Sequence, residues 1–270
     1  WVERLLHCGA GDRRKCPKRA MTAWAYLSQI LNPVFQTLCY SMRMLEQFGP
    51  SLFVADGPVV PFYGFPYPTR MVVVRLSDGD SWVWSPVALT EQLASAVEAI
   101  GPVRYIVSPN KIHHLFLSEW VERWPDAKLF APPGLASKKP DLHFANELGD
   151  KPDPGWAADI DQVIFHGSFA MEEVVFFHRT SRTAIICDLI QRHPESKMTG
   201  LPGMLMRLDG LVGEHGSTPR EWRATFLRRG PARAARDKVL SWNADRLVIA
   251  HGECARENAS SIISSALSWI

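Results

Sequence analysis

The chain has 270 residues, of which 46% are hydrophobic and 21% charged. This length fits one large α/β domain or two small domains, and the composition excludes disordered, collagen-like and coiled-coil proteins. A formal net charge of +2 gives no indication of a nucleic-acid or membrane partner from bulk charge. Five scattered cysteines without a CxxC pair argue against a disulfide framework or a zinc ribbon and favour a reducing, cytoplasmic compartment.

Residues 1–50 are predicted to form a partly helical arm, and residues 51–270 the main domain. Hydrophobic residues between Trp24 and Leu38 recur at the spacing of one helix face. The most apolar part of this arm, 21–40, is interrupted by polar residues and a proline. It therefore lacks the ~20 uninterrupted apolar residues that a bilayer span needs, and we predict no membrane-spanning helix.

Turn signals and hydrophobic periodicity divide the main domain. Residues 50–68 are rich in proline and glycine, which predicts an extended, turn-rich segment rather than regular structure. Residues 137–160 are polar and are predicted to be a surface insertion, and an Arg-rich helical region ends near residue 240. The predicted strands are Met71–Leu76, Trp82–Trp84, Arg104–Val107, Ala127–Ala131, Gln162–Phe165, Val174–Phe177, Thr183–Cys187 and Arg246–Ala250, and the predicted helices are 91–100 (capped by Thr90), 112–124 and 253–269. Strands alternating with helices predict an α/β layered domain.

Metal-competent side chains follow three of the predicted strands. His113 and His114 come after Arg104–Val107, Asp188 follows Cys187, and His251 follows Ala250. Side chains just beyond strand ends gather in the crevice where ligands bind in open α/β sheets. Imidazole and carboxylate groups are ligands that suit zinc, iron or manganese. The three places together therefore predict a shared site.

The order of these residues resembles the metallo-β-lactamase superfamily, whose first motif is H-x-H-x-D-H after a strand. The segment Ser-Pro-Asn-Lys-Ile-His-His, 108–114, is similar to that motif, with Pro109 and Lys111 at the first two histidine positions. Asp188 is similar to the aspartate that bridges two metals in the superfamily, and His251 to the final strand-end histidine. The resemblance covers roughly residues 70–270. The segments Ser-Pro-Asn-Lys-Ile-His-His (108–114) and Phe-Phe-His-Arg-Thr-Ser-Arg-Thr (176–183) resemble a branch catalogued as a domain of unknown function. It implies a four-layer αβ/βα sandwich with an N-terminal extension.

The departures from the motif imply a reduced metal centre. One of the two superfamily metals would lose its ligands at Pro109 and Lys111, and the middle loop near Gly167 offers no clear histidine. The other metal keeps a competent ligand at each of its four positions. The resemblance therefore implies one divalent metal, zinc, iron or manganese, held by His113, His114, Asp188 and His251.

Lys111 has two interpretations. Its ammonium could replace the lost cation, bind an anionic oxygen or pair with Asp188. The alternative is a solvent-exposed lysine in the first turn of a helix. Consecutive helical residues diverge by about 100°, so His113 and His114 could both be ligands only in an irregular turn.

Two functions remain open from the residues. The first is a metal-dependent hydrolase that acts on a small molecule, with Asp188 orienting the nucleophile, Lys111 assisting and the metal acidifying water. Four protein ligands would, however, complete a closed structural shell. The second is a non-catalytic binding or scaffold protein that kept the fold and lost the metal.

Other residues are weaker candidates. His166, Glu172, Glu173 and His178 fall near the middle loop and could complete a site, and Cys187 is predicted to be a core residue rather than a nucleophile. The stretch Arg220–Lys238 contains seven basic residues and two acidic ones. This stretch could bind phosphate groups or nucleic acid, although a solvated helix face is the favoured interpretation.

Overall fold

The computed structural model describes residues 45–62, 65–197 and 200–270, which form eleven strands, seven α-helices and a short 3-10 helix, Glu195–Lys197. The strands are β1 (Glu46–Gly49), β2 (Leu52–Phe62), β3 (Phe65–Arg75), β4 (Ser81–Trp84), β5 (Val103–Val107), β6 (Lys128–Ala131), β7 (Asn146–Glu147), β8 (Ile160–Phe165), β9 (Glu173–His178), β10 (Thr183–Ile186) and β11 (Arg246–Ile249). The helices are α1 (Glu91–Glu98), α2 (Leu117–Arg123), α3 (Leu135–Lys138), α4 (Gly200–Asp209), α5 (Arg220–Arg223), α6 (Arg229–Ser241) and α7 (Ala259–Ala266). None of the helices in these ranges is long and apolar enough to cross a membrane. The predicted helix of the arm lies outside the described residues.

The first sheet has seven strands in chain order, β1 to β7. Strands β1 to β4 pair antiparallel, and β4 to β7 pair parallel. The predicted hairpin of β3 and β4 is confirmed. Helix α1 begins where predicted, because the Thr90 hydroxyl accepts a hydrogen bond from the Leu93 N–H at 3.2 Å. Helices α1 and α2 lie in the connections between parallel strands, and the right-handed crossover rule places both on the same face.

The second sheet has four strands in the order β11-β10-β9-β8. Strands β8, β9 and β10 are antiparallel, whereas β11 returns parallel to β10, with Ile186 opposite Ile249. The carboxyl ends of β10 and β11 therefore meet at one edge of this sheet. The amino end of β9 lies at the same edge, because β9 runs antiparallel to β10.

Two hydrophobic cores define the layers of the domain. The inter-sheet core joins side chains of both sheets, and the rings of Trp82 from β4 and Phe176 from β9 lie 5.1 Å apart. The second core covers the outer face of the four-stranded sheet, where Trp222, Val239 and Ile263 come from α5, α6 and α7. With α1 and α2 on the other sheet, the described residues form the predicted four-layer αβ/βα sandwich.

The segment 50–68 was predicted to be irregular, and the structure corrects this. Strands β2 and β3 form a long hairpin with a bulge between Asp56 and Val59. Strand β2 after Val54 and strand β3 before Val72 pair only with each other among the described strands. Pro58, Pro61 and Pro68 lie in this two-stranded part, which we call the ribbon. Prolines are tolerated there because the outer edges of the ribbon donate to no further strand.

Two other predicted segments differ from the structure. Residues 137–160 were predicted to be a surface insertion, but Trp156 is buried in the inter-sheet core and β7 extends the first sheet. The helix predicted from residue 112 begins only at Leu117, because the Asn110 side chain accepts the backbone N–H of Ile112 and closes a turn. The first sheet begins at Glu46, inside the predicted arm, and the arm boundary stays a prediction.

Candidate metal centre

The candidate site lies where strand ends of the two sheets face each other. Strands β4 and β5 end together, with Trp84 opposite Val107, and are followed by Ser85 and by the turn 108–116. In the second sheet, Asp188 and His251 follow β10 and β11. The sequence predicted this convergence for three of the side chains, namely His113, Asp188 and His251.

The carboxylate of Asp188 contacts two imidazoles. Its Oδ2 atom lies 3.3 Å from His113 Nε2, and its Oδ1 atom lies 3.1 Å from His251 Nε2. The two Nε2 atoms lie 3.3 Å from each other. The two imidazoles face different oxygens of the carboxylate, and each of the three contacts is close to the ~3.3 Å that separates ligand atoms lying about 2.0–2.1 Å from a tetrahedral metal.

Each imidazole is held through its other nitrogen. His251 Nδ1 donates to the backbone carbonyl of Pro68 at 2.7 Å, and His113 Nδ1 lies 2.8 Å from the hydroxyl of Ser85. Because a carbonyl can only accept, His251 Nδ1 carries a proton, and Nε2 is the ring atom that faces Asp188 Oδ1. Such outer contacts fix the tautomer and ring orientation of metal-binding histidines.

Ser85 adopts a backbone conformation that is rare for residues other than glycine. Its φ angle is +50°, and its N–H donates to the Val107 carbonyl at 2.9 Å, which extends the β4–β5 pairing by one residue. Its side chain is buried and faces His113. Left-handed backbone at a non-glycine residue is strained and is concentrated at functional sites.

The imidazoles keep Asp188 ionised. Burial alone would raise its pKa, but His113 and His251 outweigh burial and hold the pKa well below its usual range. Burial lowers the pKa of His251, yet the Asp188 carboxylate and the Pro68 carbonyl bring it above the ordinary value. A buried carboxylate that stays charged beside two imidazole nitrogens is a donor set that fits a divalent cation.

Two buried side chains surround Asp188: Asn110, which the sequence did not single out, and Glu173, which it named only as a weaker candidate. Asn110 Nδ2 donates to Asp188 Oδ2 at 2.7 Å and to Glu173 Oε2 at 3.1 Å. Glu173 in turn accepts the backbone N–H groups of Cys187 and Asp188, both at 2.8 Å. Burial and Asp188 raise the pKa of Glu173, against the opposing effect of these N–H groups.

Within the described residues, the side chains of His114 and Lys111 make no hydrogen bond or ion pair with His113, Asp188 or His251. His114 lies on the wall of the adjoining pocket, and burial, with Lys138 nearby, lowers its pKa. The backbone carbonyl of Lys111 accepts a hydrogen bond from Lys138 Nζ at 3.2 Å. Within the described ranges, the side chain of Lys111 makes no ion pair with Asp188. His113 and His114 therefore diverge, as expected for adjacent residues, and His113 rather than His114 reaches the carboxylate.

Cys187 lies next to the cluster but inside the inter-sheet core. His113, Cys187 and Asp188 offer ligand atoms within 4.8 Å of one another. Burial, together with the neighbouring carboxylates, raises the pKa of the Cys187 thiol well above its usual range. Metals bind the thiolate, so a thiol kept protonated by burial is a poorer ligand than the imidazole of His251.

A pocket of about 630 Å³ opens onto the cluster. His113, Asp188 and His251 line it, and much of its wall is apolar, with Val60, Ile112, Leu115, Phe116, Met171 and Trp222. The ribbon contributes Tyr67, whose ring packs edge-on against His251 with centroids 5.1 Å apart. Burial and Asp188 raise the pKa of Tyr67 to about 12, so its hydroxyl stays protonated. The arrangement suits a small molecule with an apolar body.

Two of the weaker candidates, His166 and His178, have other surroundings. His166 lies between Glu172 and Asp150, at 2.9 and 3.2 Å, and His178 is buried against Ser181. Part of the basic stretch makes intramolecular contacts: Arg223 donates to the Thr218 carbonyl, Arg236 to the carbonyl of Ile270, and Lys238 pairs with Asp161. These contacts reduce the number of free cations in the stretch, and nucleic-acid binding stays a prediction.

Asp188 was found because polar side chains just beyond strand ends gather at ligand sites, and the same argument applies to Ser85 and Asn110, which we missed, and to Glu173, which we named only as a weaker candidate. Ser85 follows β4, and Asn110 follows β5 within three residues. Glu173 begins β9, which is antiparallel to β10, so its position at the same edge follows once the strand order is known. The pairing of the strands, rather than any local motif, is the signal for Glu173.

Comparisons with known proteins define the class. The structure is similar to metallo-β-lactamase crystal structures from Pontibacter korlensis (12% identity, TM-score 0.56, covering 83% of this chain and 97% of that one) and Hirschia baltica (14%, 0.53, 83% and 96%). It is also similar to FIM-1 from Pseudomonas aeruginosa in its mono-zinc form (11%, 0.55, 82% and 93%). At such identities the likeness shows the fold alone, and the protein has the metallo-β-lactamase fold. The family model for a domain of unknown function, DUF4336, matches residues 62–200, and the chain belongs to this family. No curated protein matches the chain in sequence.

Proposed function

We propose that this protein is a single-metal hydrolase whose divalent ion, zinc, iron or manganese, is held by His113, Asp188 and His251. The observation that carries the proposal is the set of three contacts of 3.1–3.3 Å among these side chains at the base of a pocket. Three protein ligands leave a position free, which is typical of catalytic rather than structural sites. His114, the fourth ligand in our sequence prediction, is assigned to substrate contact instead.

The chain's own groups have defined tasks at this site. When bound, a divalent metal acidifies water to a pKa of about 7 and polarises a carbonyl or phosphoryl oxygen. Asp188 remains ionised, so it can accept a hydrogen bond from attacking water and orient it toward the substrate. The Ser85 hydroxyl and the Pro68 carbonyl hold the two imidazoles in place. The ribbon and the apolar wall exclude bulk water from the reacting group.

The pocket supports a small-molecule substrate. Its wall provides apolar surface, while Lys138 lies beside His114 and can bind an anionic group of the substrate. This role belongs to Lys138 rather than Lys111, because Lys138 lines the pocket. Glu221 lies on the same wall and disfavours substrates that carry several negative charges.

One observation favours the non-catalytic alternative. Asp188 is already bonded to both imidazoles, so the cluster is satisfied by hydrogen bonds within the protein. Such a cluster could be retained in a binding or scaffold protein without any ion. Metal analysis separates the two functions, because only the hydrolase requires uptake of an ion.

The experiment uses the full chain, stripped with a chelator and reloaded separately with Zn²⁺, Fe²⁺ or Mn²⁺. We expect one ion per chain in the wild-type protein, loss of that ion in Asp188→Asn and His251→Ala, and retention in the matched control His114→Ala. The loaded protein should cleave members of a panel of nitrophenyl carboxylic and phosphate esters, and Asp188→Asn should not. A wild-type protein that takes up no ion would refute the hydrolase proposal and support the non-catalytic function.

A further inference from the structure

Glu173 is a fully buried carboxylate with an unusual set of partners. Its Oε1 atom accepts the N–H of Cys187, and its Oε2 atom accepts the N–H of Asp188, both at 2.8 Å. The N–H of Leu189 lies within 3.3 Å of both oxygens. A single side chain therefore binds three consecutive backbone N–H groups around the candidate ligand Asp188.

These contacts begin where the strand ladder ends. Strand β10 stops at Ile186, so the next three N–H groups have no partner strand to donate to. Buried N–H groups need an acceptor, and Glu173 supplies one from the first position of β9. The backbone direction of the segment that carries Asp188 thus depends on the position of this carboxylate.

Asn110 connects Glu173 to the side chains of the cluster. Its Nδ2 donates to Asp188 Oδ2 and Glu173 Oε2, so it is placed between the two carboxylates. Its Oδ1 accepts the N–H groups of Ile112 and His113 at 3.0 and 3.3 Å. The same amide therefore orients the Asp188 side chain and closes the turn that carries His113.

We propose that Glu173 and Asn110 are positioning residues for the metal centre, because they fix the Asp188 carboxylate and the His113 turn in the geometry that binds the ion. This inference rests on the proposed function, since it concerns the same ion. Neither residue is assigned as a ligand: Glu173 has its oxygens occupied by N–H donors, and Asn110 directs its nitrogen, which cannot ligate, toward Asp188.

The test compares Glu173→Gln with the matched control Glu172→Gln in the full-length protein. Glutamine puts an NH₂ group where Glu173 has an accepting oxygen, so one backbone N–H of the 187–189 segment faces a donor. The neighbouring Glu172 contacts His166 and has no contact with Asp188 within the residues that the structure describes. Dissociation constants are measured by competition with a chromogenic chelator for Zn²⁺, and the visible spectrum of the Co²⁺-loaded protein reports ligand geometry.

Glu173→Gln is expected to weaken Zn²⁺ binding about 10–100-fold, as for other residues that orient metal ligands, and to alter the Co²⁺ spectrum. Glu172→Gln should behave as the wild-type protein. A folded Glu173→Gln protein with wild-type affinity and spectrum would overturn the positioning role. If Glu173→Gln does not fold, Asn110→Ala is the test, because it leaves the contacts of Glu173 with the backbone in place. Wild-type Zn²⁺ affinity of Asn110→Ala would then overturn the positioning role. Absence of metal from the wild-type protein would overturn the proposed function itself.

Discussion

His178 provides a stability prediction whose size follows from the structure. The side chain is 1% exposed at the end of β9, and its Nδ1 lies 2.7 Å from the Ser181 hydroxyl. Burial lowers its pKa from 6.5 to about 4, with Asp159 opposing this effect weakly. The unfolded chain therefore binds a proton on this residue at a pH at which the folded protein does not, and stability falls as pH decreases from 6.5 toward 4.

A pKa of 6.5 in the unfolded state and about 4 in the folded state corresponds to a loss of about 2.5 kcal/mol between pH 7.5 and 4.5. His178→Asn keeps a polar atom near the position of Nδ1 and removes the titrating ring. The free energy of unfolding of the wild type minus that of His178→Asn should therefore decrease by that amount from pH 7.5 to 4.5, whatever its value at pH 7.5. Urea unfolding at several pH values measures this difference.

The exposed His143 supplies the matched control, and His143→Gln should follow the pH dependence of the wild-type protein. His193, also buried with a pKa lowered to about 4, contributes to the total slope but cancels in the comparison. Parallel curves for His178→Asn and wild type would refute the reasoning, since they would show that His178 titrates alike in the folded and unfolded protein.

Three further predictions concern the site and the core. Ser85→Ala removes the partner of His113 Nδ1 and should weaken Zn²⁺ binding about 10-fold by chelator competition; an unchanged affinity would show that Ser85 does not orient the ring. Gly252 has a φ of +114° and a Cβ there would lie 2.0 Å from the Arg192 carbonyl oxygen, so Gly252→Ala should lower the free energy of unfolding by about 1–3 kcal/mol or more. Trp156→Ala should cost about 3–5 kcal/mol in urea unfolding, whereas the exposed Lys151→Ala should stay within about 0.5 kcal/mol. Equal effects of these last two would contradict the burial of Trp156.

The sequence predicted the layers and the strand ends of the site because both depend on local patterns. Runs such as Thr183–Cys187 are apolar throughout, as strands covered on both faces must be. The polar residue after such a run has to leave the core, which places Asp188 and His251 at the sheet edge. The fold class and the approach of His113, Asp188 and His251 therefore followed from short segments and a family resemblance.

The remaining features depend on contacts between distant segments. The proline content of residues 50–68 predicted irregular structure. The sequence does not show that part of β2 and β3 lies beyond the sheet, where prolines are tolerated. Trp156 belongs to a segment, 137–160, that is polar overall, and the packing of Tyr105 and Phe130 against it places it in the core. The choice of His113 over His114 depends on the turn closed by Asn110, and the role of Glu173 depends on the pairing of β9 with β10.

The prolines of the ribbon have a consequence for association between molecules. Pro58, Pro61 and Pro68 lie in the part of β2 and β3 whose outer edges pair with no further strand among the described residues. Each proline lacks the N–H that an incoming strand would bind, and the bulge at Asp56 disrupts the flat edge further. The ribbon can thus contribute apolar walls to the pocket while being a poor template for intermolecular β-sheet growth and aggregation.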